Sequence, residues 1–93
     1  MKNYELMSII KSSLTEDKAK EEAQAITAVI TSLGGTLSKH DYLGRRKFAY
    51  QVKNQIDGFY DVFDMSLDES KVTELKSKLN YMDSILRYLI TTS

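Results

Sequence analysis

Three adjacent cations, Arg45, Arg46 and Lys47, stand between Gly44 and the alternating stretch Phe48-Ala49-Tyr50. Guanidinium and ammonium groups beside aromatic rings on one extended segment suit a phosphate backbone and its bases. The chain carries 13 basic and 13 acidic residues, yet Lys39 to Lys53 holds five cations against Asp41 alone. That segment is therefore +4 and the remainder −4, a local field able to steer a polyanion although the net charge is zero.

Other chemistries find little footing. Cys is absent, so disulfides and Cys-based zinc sites are excluded, and His40 is the single histidine, without a same-type partner for a metal. No Ser stands in a nucleophile motif beside it, and His40 reads as a solvated strand residue. Glu16, Asp17, Glu21 and Glu22 read as the solvated side of a helix. No apolar run approaches membrane-spanning length, and Met1-Lys2-Asn3-Tyr4-Glu5 lacks the apolar stretch of a secretory signal, which predicts a cytosolic protein that uses neither membrane nor cofactor.

The elements that position the basic run follow from periodicity. Tyr4 to Ile10 is too short for an isolated helix and predicts a first strand. Thr15 caps the next segment, where Ala19, Ala23, Ile26, Ile30 and Leu33 form one helical stripe that Gly34-Gly35 ends. From Thr36 to about Val52 the period becomes two, with a phase slip at Gly44 that predicts a β-bulge. Residues Lys53 to Gly58 read as a hairpin connection, and Phe59, Phe63, Met65 and Leu67 as a third strand. Ser66 with Glu69 suggests a capping box before Val72, Leu75, Leu79 and Met82, and Ile85 to Thr92 closes the chain as a fourth strand. The order β-α-β-β-α-β has one common compact solution, the ferredoxin-like fold: a four-stranded antiparallel sheet with both helices on one face, here a single domain over residues 1–93. Its other face is left open for a partner.

Tyr4-Glu5, Gly34-Gly35, the run Leu43 to Tyr50, Asp57-Gly58-Phe59-Tyr60 and Ile85-Leu86-Arg87-Tyr88 stand in register over the whole chain. With these motifs the sequence closely resembles the family of the sixth protein of the bacterial small ribosomal subunit. The resemblance implies a non-enzymatic role in the central domain of small-subunit ribosomal RNA, and pairing with the eighteenth protein of that subunit. It points to Lys2, Tyr4, Arg45, Arg46, Lys47, Tyr50 and Arg87 as RNA contacts, and it implies neither DNA nor cofactor binding. Family members often carry prolines where this chain has Ser13, Gln51 and Ser66.

Bland alternatives stand beside these readings. If the hairpin closes near Lys53 and Gly58, Lys47 faces Asp64 and Tyr50 faces Asp61, so the basic strand is neutralised by its neighbour. Arg45 and Arg46 have fewer obvious partners. Phe59 to Phe63 partly echoes the aromatic strand of RNA-recognition-motif domains, but Asp61 stands where a stacking aromatic belongs. A phosphatase of the acylphosphatase type needs a Gly-rich loop with an Arg after the first strand, and Lys11-Ser12-Ser13-Leu14 supplies neither. A ferredoxin-like module that self-associates, or binds a small ligand through its open sheet, is the alternative function.

Overall fold

The computed structural model describes residues 1–52 and 55–92, and the side chains of residues 48–56 lie outside that description. The elements are β1 (Lys2–Lys11), α1 (Glu16–Ser32), β2 (Thr36–Val52), β3 (Gln55–Leu67), a 3₁₀ turn (Glu69–Lys71), α2 (Val72–Asn80) and β4 (Ile85–Thr92). The four strands form one antiparallel sheet in the order β2-β3-β1-β4. This is the ferredoxin-like fold that the element order predicts.

The periodicities become the core directly. The stripe Ala19, Ala23, Ile26 and Ile30 of α1 is buried together with the C-cap Leu33, Thr15 accepts a hydrogen bond from the Lys18 amide at 3.2 Å, and Glu16 and Asp17 occupy the first turn. Against this stripe lie Tyr4, Leu6 and Ile10 of β1, Phe59, Phe63, Met65 and Leu67 of β3, and Leu75 and Leu79 of α2. Each fully buried aliphatic or aromatic side chain in such a layer contributes about 1.5–3 kcal/mol over leaving it in water.

Two expectations are corrected here. Ser66 does not open the second helix: it belongs to β3, and its hydroxyl donates to the Asn3 side-chain oxygen at 2.7 Å. Asp68 instead caps the 3₁₀ turn that leads into α2, accepting from both the Ser70 amide and the Ser70 hydroxyl at 2.9 Å, and α2 itself has no side-chain cap. Those two bonds hold the Asp68 carboxyl below the usual carboxylate range. The third strand also starts earlier than read, at Gln55, with Val52 opposite it.

That earlier start changes the pairing of the basic strand. Lys47 faces Asp57 rather than Asp64, and Asp61 faces Tyr42 rather than Tyr50. The β2–β3 ladder shifts three times, between Leu37 and Lys39, between Tyr42 and Gly44, and between Lys47 and Val52. The middle shift is the bulge marked by the phase slip at Gly44. There φ is +84°, a left-handed conformation that L side chains rarely adopt, although a Cβ would meet no atom within 4 Å. A substitution at this position therefore costs backbone strain alone. Gly44→Val is expected to lose about 1 kcal/mol or more in denaturant unfolding, and an unchanged midpoint would show that the bulge tolerates a side chain.

Candidate nucleic-acid interface

Strand register decides which face each cation occupies, because opposed residues of an antiparallel pair share a face. Arg45 lies opposite Phe59, a core residue, and so sits on the helix side of the sheet, in the row that continues to Ile10 of β1. Its Nε lies 3.0 Å from the Asp57 carboxylate and its guanidinium 5.9 Å from the Phe59 ring centroid. Arg45, read as short of partners, is thus ion-paired, and Asp57 is the acid that the third strand supplies.

The bulge and the alternation put Arg46 on the opposite, open face. Arg46 faces Gly58, and Gly58 faces Lys11 of β1. One step along the sheet, the next row runs Gly44, Tyr60, Ile9 and Arg87. Lys11, Arg46 and Arg87 therefore gather at one end of the open face, around the Tyr60 ring. None of the three has a carboxylate within ion-pair distance among the described residues. Lys11 was missed in the sequence because it lies 35 positions from Arg46, and only the β1–β3 register joins them.

The remaining sequence-derived positions scatter. Lys2 is exposed at the start of β1, 3.2 Å from Glu69. Lys47 is exposed and faces Asp57 across the hairpin. Tyr50 belongs to β2, with its side chain outside the described residues. Tyr4 is 6% exposed and packed in the core, leaving almost none of its ring for a partner.

The other end of the open face has the opposite sign. The row of Glu5, Asp64 and Lys39 adjoins Asp41, whose carboxylate is 3.5 Å from the Lys39 ammonium, so three acids stand against one cation. Between the two ends lies an apolar row of Val62, Met7 and Leu89, with Leu89 58% exposed. The open face thus grades from cationic through apolar to anionic. Among the described residues no group of His, Asp and Glu is arranged to hold a metal ion, and no helix is long and apolar enough to cross a membrane.

The family model described as ribosomal protein S6 matches residues 3–92. The chain belongs to the ribosomal protein S6 family. It is 37% identical over 90 residues to the small ribosomal subunit protein bS6 of Fusobacterium nucleatum subsp. nucleatum, covering 97% of this chain and 96% of that one. It is 31% identical to the bS6 of Exiguobacterium sibiricum, covering 98% and 96%. The crystal structure of 30S ribosomal protein S6 from Thermotoga maritima superposes with a TM-score of 0.94 at 26% identity, covering 99% of this chain and 87% of that one. A chemotaxis kinase CheA P2 domain reaches a TM-score of 0.61 at 13% identity, covering 99% of this chain and 98% of that one, a likeness of fold alone.

Family membership leaves the roles of Tyr4 and Arg45 to be separated by energetics. Tyr4→Ala is expected to cost about 3–5 kcal/mol by leaving a core cavity. Arg45→Ala should cost roughly 0–1 kcal/mol, as exposed ion pairs do. Chemical denaturation of both variants checks this, and a Tyr4→Ala protein as stable as wild type would move that ring out of the structural core.

Proposed function

We infer that this member of the family serves as a structural constituent of the small ribosomal subunit, contacting ribosomal RNA with the cationic end of its open sheet face. The observation that carries the reading is the convergence of Lys11, Arg46 and Arg87 around Tyr60, without ion-pair partners among the described residues. Three cations on three strands match a phosphate path better than a single point charge does, and guanidinium forks bind phosphate oxygens bidentately. Lys47, opposite Asp57, is exposed on the other face of the sheet and stands apart from this cluster. The resemblance of the whole chain to its family supports the central domain of small-subunit RNA as the target.

A partner protein fits the rest of the same face. The exposed Leu89 with Met7 and Val62 offers apolar area, and Glu5, Asp41 and Asp64 beside it favour a small basic protein. This is the place we assign to the eighteenth small-subunit protein. A domain with few free cations binds RNA weakly alone, so a basic partner should raise its affinity.

The test titrates a central-domain RNA fragment at several salt concentrations, with and without that partner. Losing two phosphate contacts in the Arg46→Ala, Arg87→Ala double variant should flatten the slope of log affinity against log salt by about one to two units. Leu89→Asp should leave the affinity without partner unchanged and remove the gain from the partner. An unchanged salt slope would refute the RNA assignment, and an undiminished gain in Leu89→Asp would refute the docking face.

A further inference from the structure

Asp61 is an acid in the middle of the core. It lies on β3 between the core residues Phe59 and Phe63, and its side chain is 1% exposed. One carboxylate oxygen is 2.7 Å from Nε2 of His40, while the other has no hydrogen-bond partner among the described residues. The imidazole lies flat on Phe63, with ring centroids 4.4 Å apart and planes 3° from parallel. His40, expected to be a solvated strand residue, is exposed, and it also rests one face on an aromatic ring and one nitrogen on a buried carboxylate. Nothing local in the sequence shows that His40 faces Phe63 and points at Asp61.

The surroundings offer this carboxylate little other compensation. Across the sheet, β1 opposes it with Ser8 and β2 with Tyr42, and β4 brings Tyr88 opposite Ser8. Above, α1 contributes Ala19 and Ala23 to the core, and Lys20 lies 5.6 Å from the Tyr42 ring centroid with its charge paired to Glu16 at 3.5 Å. Burial pushes the Tyr42 hydroxyl upward, helped by the negative charges of Glu16 and Asp61. The polar side chain that touches the Asp61 carboxylate is therefore the imidazole.

His40 also stands at a mechanically weak point. Residues Lys39 to Tyr42 are the part of edge strand β2 between two register shifts, and His40 is the residue there that is both stacked and hydrogen-bonded to β3 through its side chain. We propose that His40 and Asp61 form a single proton-holding lock, which keeps the middle of β2 on the sheet while the pair is protonated and loosens it when the proton leaves. While the pair holds one proton it is neutral. Once that proton has left, an uncompensated negative charge remains in the core, where it is costly.

The sign follows from Asp61. Burial raises its carboxyl above the usual range, and the hydrogen bond and charge of His40 pull it back down. A carboxyl raised by folding contributes stability that is complete below its ordinary value near ~3.9 and is lost as pH rises through the raised value. The lock accordingly weakens on the alkaline side. It also ties the position of Arg46, four residues beyond Tyr42, to protonation, a consequence that rests on the RNA reading above.

The experiment uses the full chain and no RNA, so its outcome is independent of the interface. Thermal unfolding and amide exchange are followed at pH ~5, close to the ordinary carboxyl value near ~3.9, and at pH ~8.5, well above it. His40→Gln keeps a neutral donor but cannot hold a cation. Its deficit in melting temperature relative to wild type should be larger at the acidic pH, and should shrink by about 4–8 °C at the alkaline one. Asp61→Asn should show a smaller alkaline loss than wild type. In the wild type alone, protection of the β3-bonded amides within Lys39–Tyr42 should fall about tenfold more than that of Leu6–Ser8 between the two conditions. A deficit of His40→Gln that does not change with pH would overturn the lock. So would wild-type protection in the two segments that falls in step.

Discussion

Ten consecutive residue pairs join β1 to β3, from Lys2 opposite Leu67 to Lys11 opposite Gly58, without one register shift. The rest of the molecule hangs from this ladder. It alternates Tyr4, Leu6 and Ile10 with Met65, Phe63 and Phe59 on one face, and Glu5, Met7 and Ile9 with Asp64, Val62 and Tyr60 on the other. A slip of one residue would exchange the two sets, burying Glu5 and Asp64 and exposing the core, so burial and backbone pairing enforce the same alignment. Both helices dock on the apolar face, and the charge gradient of the open face is laid out by the same alternation.

The two outer strands are held less uniformly, and function is written mainly on them. β2 crosses its ladder with β3 through three register shifts, and β4 shifts once against β1, between Ile9 and Ile10. Each shift on β2 re-aims side chains: the bulge at Gly44 sets the phase of the strand beyond it, and alternation then puts Arg45, paired with Asp57, on the helix side and Arg46 on the open side. Two neighbouring arginines thereby acquire different tasks. One closes an ion pair at the end of the hairpin, and the other joins Lys11 and Arg87 as part of a positive surface. Edge strands tolerate such irregularity because one side of their backbone has no ladder to satisfy.

His40 and Asp61 show a different balance. A carboxylate with a single polar side-chain partner is expensive in an apolar layer, and an aliphatic residue of similar size would pack there without that cost. The pair nevertheless fastens β2 where its backbone register is interrupted on both sides. Polar pairing of this kind specifies one alignment of the edge strand, a task that the ladder does not perform alone between two shifts.

Much of the fold was legible in the chain. The stripe Ala19 to Leu33, its Thr15 cap and Gly34-Gly35 stop, the limits of β2 and β4 and the bulge at Gly44 all rest on local periodicity and local backbone sterics, which the sequence carries explicitly. The family was legible too, because its motifs are spread in register over the whole length. What only the tertiary structure decided was which residues meet. The hairpin alignment that sets Lys47 against Asp57, the gathering of Lys11, Arg46 and Arg87, the burial of Tyr4 and the pairing of His40 with Asp61 all depend on non-local strand register. Register is a property of the packed sheet, fixed by the sum of many cross-strand contacts and by bulges that shift the count by one or more. A period-two pattern says that a side chain alternates, and only the assembled core says what it alternates against.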